Sequence, residues 1–337
     1  MRLDMYTPLT YWNNPRKDSK SGEMLTSGFI VWNSVAESDI CLSKTAGALY
    51  PELGKGFRAG PCSARLYSEG SVMTGSPRRV VYTCLTNGYD RLIPPVEPVP
   101  GVDYILFTDR PEDDRVEGWT TRLIETPEGL SPTLCARRYK ALPHKVVPEY
   151  DEAIWVDSNI AITSSLAPFF DDVFGSAENM IVYTHPDRDT IATEAEVILQ
   201  SGRAKALDKV EGEVAGYFAD GFPDDQGLIH TAILMRRHME PEVIAAMELW
   251  WELLAKGSTR DQLSLPYVLW KQKLPVRVLS PDFTLGSPYF LRYPHWQTSG
   301  RRGRALVWAA QRKARGLPWR WLHDLIISSY GRRSPHF

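Results

Sequence analysis

The chain has 337 residues, 43% hydrophobic and 24% charged, with a formal net charge of -2. That is enough apolar material for one large core or two modest ones, and too much for a disordered chain. The N-terminal Met1-Arg-Leu-Asp-Met-Tyr-Thr-Pro8 has no charged head followed by an apolar core, and no long apolar run occurs, so neither secretion nor a membrane span is expected. Cys41, Cys62, Cys84 and Cys135 are widely spaced and form no CxxC pair, which argues against a zinc knuckle or a disulfide framework and for a reducing cytoplasm. The small net charge hides an asymmetry. From Trp296 onward nine basic residues face one acid, Asp324, so a body of about -10 carries a tail of about +8.

Residues 1–77 are the least patterned part, with strand character only at Gly28-Phe-Ile-Val-Trp-Asn33. They read as an accessory N-terminal segment closed by Ser76-Pro77. Val80–Leu85 is then an apolar strand ending in the turn-rich Thr86-Asn-Gly-Tyr-Asp90, and Tyr104–Thr108 is another that stops at Asp109. Thr120–Ile124 suggests a short strand. Pro132–Leu142 reads as a helix with proline near its start and Pro143 beyond its end. Tyr150–Ile162 holds the apolar run Ile154-Trp-Val156, broken at Asp157-Ser-Asn159, the pattern of a buried central strand with polar residues at its carboxyl end.

Met180–Tyr183 and Gly227–Met235 are further strands. Thr190–Ser201, Lys205–Ala219, Pro241–Leu254 and Leu263–Lys271 have helical spacing. Strands alternating with helices predict an α/β sheet with its site along one edge. The basic tail, 296–337, fits two readings equally. Gly303–Arg315 can dock as a helix on the acidic body, or its arginines and Trp308, Trp319 and Trp321 can meet an anionic membrane surface. Nucleic acid is disfavoured by the acidic body and the absence of a binding motif.

Asp157 and Asn159 stand two apart, so in an extended chain both face one side and offer oxygens to Mg²⁺ or Mn²⁺, which take further ligands from phosphates. The same triplet also suits a plain turn. Arg137 and Lys140 share a helical face that can clamp a phosphate or simply be solvated. Asp261, at a helix start, is either a cap or a group that binds or deprotonates an acceptor hydroxyl. Asp187, Arg188, Glu194 and Glu196 follow a strand end. His185, His230 and His238 form no HExxH pattern, and no GxGxxG, GxxxxGK[ST] or GxSxG occurs.

Six blocks fall in an order that resembles one family: Tyr82–Asp90, Asp103–Asp109, Ala136–His144, Glu149–Ile160, His185–Arg188 and Ser258–Ser264. It is a glycosyltransferase-like family, formerly a domain of unknown function, shared by bacteria and plants and including plant mucilage-type enzymes. The resemblance covers roughly 79–275. It implies an α/β, GT-A-like (Rossmann-like) mixed sheet flanked by helices, one main domain over 78–295, and transfer of a sugar from a nucleotide-sugar to a glycan or lipid-linked acceptor.

Carried over residue by residue, it puts Thr86 and Asp109 near the nucleoside and Arg137 and Lys140 near the diphosphate or sugar. Asp157 and Asn159 fall at the metal-binding triplet, with Mn or Mg as the tentative cofactor, and Asp261 stands beside donor and acceptor as the catalytic residue. His185, Arg188, Glu194 and Arg260 are assigned to an acceptor or sugar pocket. Asn159 departs from the usual carboxylate, although an amide is common in the family block. The expected setting is cytoplasmic, peripheral at the inner face of the membrane. The alternatives are a non-catalytic glycan-binding scaffold or a hydrolase on the same shell.

Overall fold

The computed structural model describes residues 76–111, 116–201 and 207–330, which belong to one compact unit. The accessory segment expected at 1–77 lies outside them except for its last two residues. In chain order the strands are β1 (Arg79–Leu85), β2 (Val102–Thr108), β3 (Thr120–Leu123), β4 (Glu152–Val156), β5 (Ile160–Ile162), β6 (Met180–Thr184), β7 (Ile229–Arg236), β8 (Arg277–Leu279) and β9 (Phe290–Arg292). The helices are α1 (Pro132–Ala141), α2 (Pro143–Val146), α3 (Ala167–Phe174), α4 (Ile191–Ser201), α5 (Leu207–Ala219), α6 (Pro241–Lys256), α7 (Asp261–Gln272), α8 (Arg301–Arg312) and α9 (Leu317–Tyr330).

Seven strands form a mixed sheet in the order β3-β2-β1-β4-β7-β6-β8, and β5 pairs with β9 in a separate ribbon. β1 runs parallel to β2 and β4, whereas β7 is antiparallel to both β4 and β6. The expected α/β class, a mixed sheet flanked by helices, is therefore the architecture of the described residues. Chain order reverses between β1 and β4, which creates a crevice at their carboxyl ends, where open α/β sheets bind ligands.

The apolar runs are unbroken because both sheet faces are covered. Tyr82, Cys84 and Trp155 point into one layer with Ala141, Trp250 and Leu265 of α1, α6 and α7. Val81, Leu85, Ile154 and Val156 point into the other, against Phe169, Phe170 and Val173 of α3. Trp250 is fully buried and donates Nε1–H to Ser264 Oγ. Truncating a side chain of that size costs about 3–5 kcal/mol.

Helix α1 starts where the sequence predicts, with Ser131 Oγ accepting from Leu134 N–H and Pro132 in the first turn. Its last turn is pinned to the sheet by a buried cation. Arg236, at the end of β7, donates to the Lys140 carbonyl at 2.8 Å and to the Tyr82 hydroxyl at 2.7 Å. Burial lowers the pKa of this guanidinium. The tail follows the docked reading as far as α8, whose Leu306, Val307 and Ala310 pack on Ile93, Ala161 and Tyr293.

Candidate active site

Four charged side chains from three elements meet above the end of β4. Lys140, wholly buried on α1, places Nζ 2.6 Å from Asp261 Oδ2 and 3.0 Å from Asp157 Oδ1. Arg137, one turn earlier on the same face, reaches Asp261 Oδ2 at 2.8 Å. Thr231, near the start of β7, donates its hydroxyl to the same oxygen at 2.8 Å. Trp155 Nε1–H donates to Asp157 Oδ1 at 2.8 Å, which orients that carboxylate. Burial alone would raise the Asp261 carboxyl, but Arg137 and Lys140 outweigh it and hold the group well below the usual carboxylate range.

This corrects the expectation that Asp261 is a cap. Arg260 is the N-cap of α7, and Asp261 sits inside the first turn with its side chain turned to Arg137, Lys140 and Thr231 rather than to its own helix. A carboxylate held so acidic and so fully engaged is also a poor proton acceptor. It pairs with both Arg137 and Lys140.

A second group lies at the end of β6. Arg188 Nε pairs with Glu194 of α4, and the Arg188 guanidinium reaches His185 Nε2 at 2.9 Å. His185 Nδ1 accepts the backbone N–H of Asp187 and Arg188. Burial, with Arg188 and His230 nearby, pushes the His185 imidazole down to about 3. Burial raises the Glu194 carboxyl against the pull of Arg188, and Asp261 and Arg260 both act on its charge. The two groups therefore adjoin. Arg137, Lys140, Asp157, His185, Arg188, Glu194, Arg260 and Asp261 come to one edge of the sheet.

Thr86 and Asp109 hold the neighbouring loop. Thr86 is buried and donates to the Pro132 carbonyl, and both Asp109 oxygens accept from Asn87 N–H. Asn87 and Gly88 are both left-handed in that loop, and a Cβ on Gly88 would meet the Arg110 guanidinium at 2.8 Å.

Asp157 and Asn159 do not share a side, because the chain turns between them: Ile160 N–H returns to the Asp157 carbonyl. Asn159 is buried, donating its amide to the Tyr293 carbonyl while its own carbonyl accepts from Tyr293 N–H. Mn²⁺ or Mg²⁺ does not fit this pair. One candidate ligand is packed into the protein, and the other has an ammonium 3.0 Å away. Among the described residues, no group of three or more His, Cys, Asp or Glu could hold a metal ion.

Further residues at this edge went unread in the sequence. His230 Nδ1 lies 2.7 Å from the buried Asp282 Oδ2, and its ring stacks on Phe283 at 5.0 Å and stands 5.5 Å from His185. Arg292, on β9, is close enough to Asp282, Asp187 and Asp157 to feel all three charges. Asp90, buried behind the triplet, accepts from Ser158 Oγ at 2.6 Å and Trp296 N–H at 2.9 Å, with His295 Nδ1 also 2.9 Å away. The one local signal was the polar pair His230-Thr231 inside an otherwise apolar strand.

Residues 119–282 match the family described as "TOD1/MUCI70, glycosyltransferase-like domain". That stretch is similar to a TOD1/MUCI70 glycosyltransferase-like domain. The domain holds both charged groups and the His230–Asp282 pair, while Thr86, Asp109 and Arg292 fall outside its matched residues. No curated protein matches the chain. Among solved structures, the apo form of WbbM, a bifunctional glycosyltransferase, aligns at 12% identity and a TM-score of 0.39. The alignment covers 63% of this chain and 40% of that one, so this chain spans well under half of that protein.

Proposed function

We propose that the glycosyltransferase-like domain moves a sugar from a nucleotide-sugar to a glycan or glycolipid acceptor, on a cytoplasmic protein seated at the inner face of a membrane. The observation that carries the reading is Lys140, buried between Asp157 and Asp261 where the chain order of the sheet reverses. A buried cation is costly even when two carboxylates pair it, and with the partly exposed Arg137 beside it the edge suits a partner that brings negative charge. A nucleoside diphosphate leaving group is such a partner.

In the reaction, the bond from the anomeric carbon to the diphosphate oxygen breaks as a bond from the acceptor oxygen forms. The diphosphate departs with its charge toward Arg137, which is partly exposed, with Lys140 behind it and Arg292 nearby, so the chain's own cations supply electrostatic stabilisation. The acceptor hydroxyl must lose its proton. His230 suits this role better than Asp261, because the buried Asp282 carboxylate holds its Nδ1 side at 2.7 Å and leaves Nε2 as the basic nitrogen.

Isothermal titration of the full chain with a panel of nucleotide-sugars tests the reading, with Asp157→Ala as the comparison. Donor binding by the wild type, and turnover that disappears in a folded Asp157→Ala, is the expected result. Failure to bind any donor would favour a scaffold, and sugar release without an acceptor would favour a hydrolase.

A further inference from the structure

We infer that α9 is a membrane-surface helix that lays Leu317, Trp321 and Leu325 on an anionic phospholipid bilayer. These residues recur every four positions, so they form one stripe along the helix. They are 80%, 68% and 52% exposed, large values for side chains whose burial is favourable. Arg320 is exposed on the same helix, Arg312 ends α8, and Arg315 lies in the connection between the two helices. Arg312 stacks 4.0 Å over Trp308, which is itself 38% exposed and meets Trp319 edge-on.

Exposed apolar side chains interleaved with arginines are what a headgroup boundary accommodates. The apolar groups enter the acyl edge, and the cations remain with the phosphates. No helix of the described residues is long and apolar enough to cross a membrane, so the contact is a seat on the surface. The charge asymmetry points the same way, because cations concentrate in these helices while the rest of the chain carries the acids. The one acid on the helix, Asp324, is already engaged by His323 Nδ1 at 2.8 Å.

The opposite side of α9 shows why the stripe faces outward. His323 is buried, and its Nε2 lies 2.6 Å from the Tyr293 hydroxyl. Tyr293 in turn exchanges two hydrogen bonds with Asn159, beside Asp157. The two expectations for the tail thus divide between its helices, with α8 docked and α9 presenting the stripe. A bilayer gripped by α9 would be held in fixed relation to the candidate site, which suits a lipid-linked acceptor. The membrane contact itself does not depend on the transferase reading, since a chain that turns over no donor still answers the test below.

Flotation of the full chain with phosphatidylglycerol or phosphatidylcholine vesicles tests the inference. Binding to the anionic vesicles alone, weakened by salt, is expected. The variant Leu317→Ser/Trp321→Ser/Leu325→Ser should lose at least about tenfold of that binding while keeping the wild-type thermal melt. Should the triple variant misfold, Trp321→Phe provides the readout: it should still float but lose part of the fluorescence quenching by brominated lipid. Equal binding to neutral vesicles, no binding by the wild type, unchanged binding of the folded triple variant, or unchanged quenching in Trp321→Phe would each overturn the inference. So would a stripe-dependent dimer seen by light scattering without lipid, which would assign the face to a second copy.

Discussion

Lys140 Nζ stands 2.6 Å from Asp261 Oδ2 and joins α1 to α7 across 121 residues of sequence. Both side chains are buried, so neither can turn to water if its partner is removed. Lys140→Met should therefore cost about 3–5 kcal/mol in urea unfolding, because Asp261 keeps its charge with only Arg137 to answer it. Lys140→Met/Asp261→Asn should recover part of that loss. Strict additivity in the double-mutant cycle would mean that the pair is not coupled.

Asn159 separates a structural role from a metal-binding one. Its amide caps the buried Tyr293 carbonyl. Asn159→Ala leaves that oxygen unpaired and should destabilise the chain by about 1–3 kcal/mol while donor affinity stays near wild type. Chelation by EDTA should likewise leave donor affinity within about threefold, which is under about 0.7 kcal/mol. Strict dependence of binding on Mn²⁺ would show that the side chains rearrange around an ion and that the metal expectation was right.

The strands that position the site were legible because both sheet faces are buried. Val80–Leu85 and Ile154–Val156 then read as continuous apolar runs, and the polar residues after them mark the ligand edge. Helical spacing likewise put Arg137 and Lys140 on one face. Side-chain direction was not legible at Asp157-Ser-Asn159, because an alternation rule holds only while the chain stays extended, and here it turns. The ribbon pairing Ile160 with Arg292 was invisible for another reason. Each strand has three residues, and their partnership spans most of the domain. Arg292 and the His230–Asp282 pair therefore join the site through contacts that no local pattern announces.

Stability should fall with acid through His238. It is fully buried, with Nε2 2.9 Å from the Val147 carbonyl. Burial above all, with Arg236 and His144 nearby, lowers its pKa from 6.5 to about 4. The unfolded chain binds this proton first, so the contribution is present above pH 6.5 and is lost as pH falls from there toward about 4. At pH 5 the loss is about 2 kcal/mol relative to pH 7. His185, with its folded value near 3, adds in the same direction. Urea midpoints at pH 7 and 5 check this, since His238→Gln should flatten the slope, and an unchanged slope would remove His238 as its source.

The His230–Asp282 pair gives the sharpest kinetic prediction. If Nε2 of His230 takes the acceptor proton, His230→Asn should lower kcat by about 10²–10⁴-fold with the donor KM near wild type, because general-base help is felt only in the transition state. Asp282→Asn should act through His230. It loses the carboxylate that holds Nδ1–H, so kcat should fall, but by less than in His230→Asn. A purely structural role for Asp282 would lower stability and active fraction together and leave kcat per folded molecule at the wild-type value. Equal kcat in His230→Asn and wild type, at matched folded fraction, would return the search for the proton acceptor to the acceptor side of the cleft.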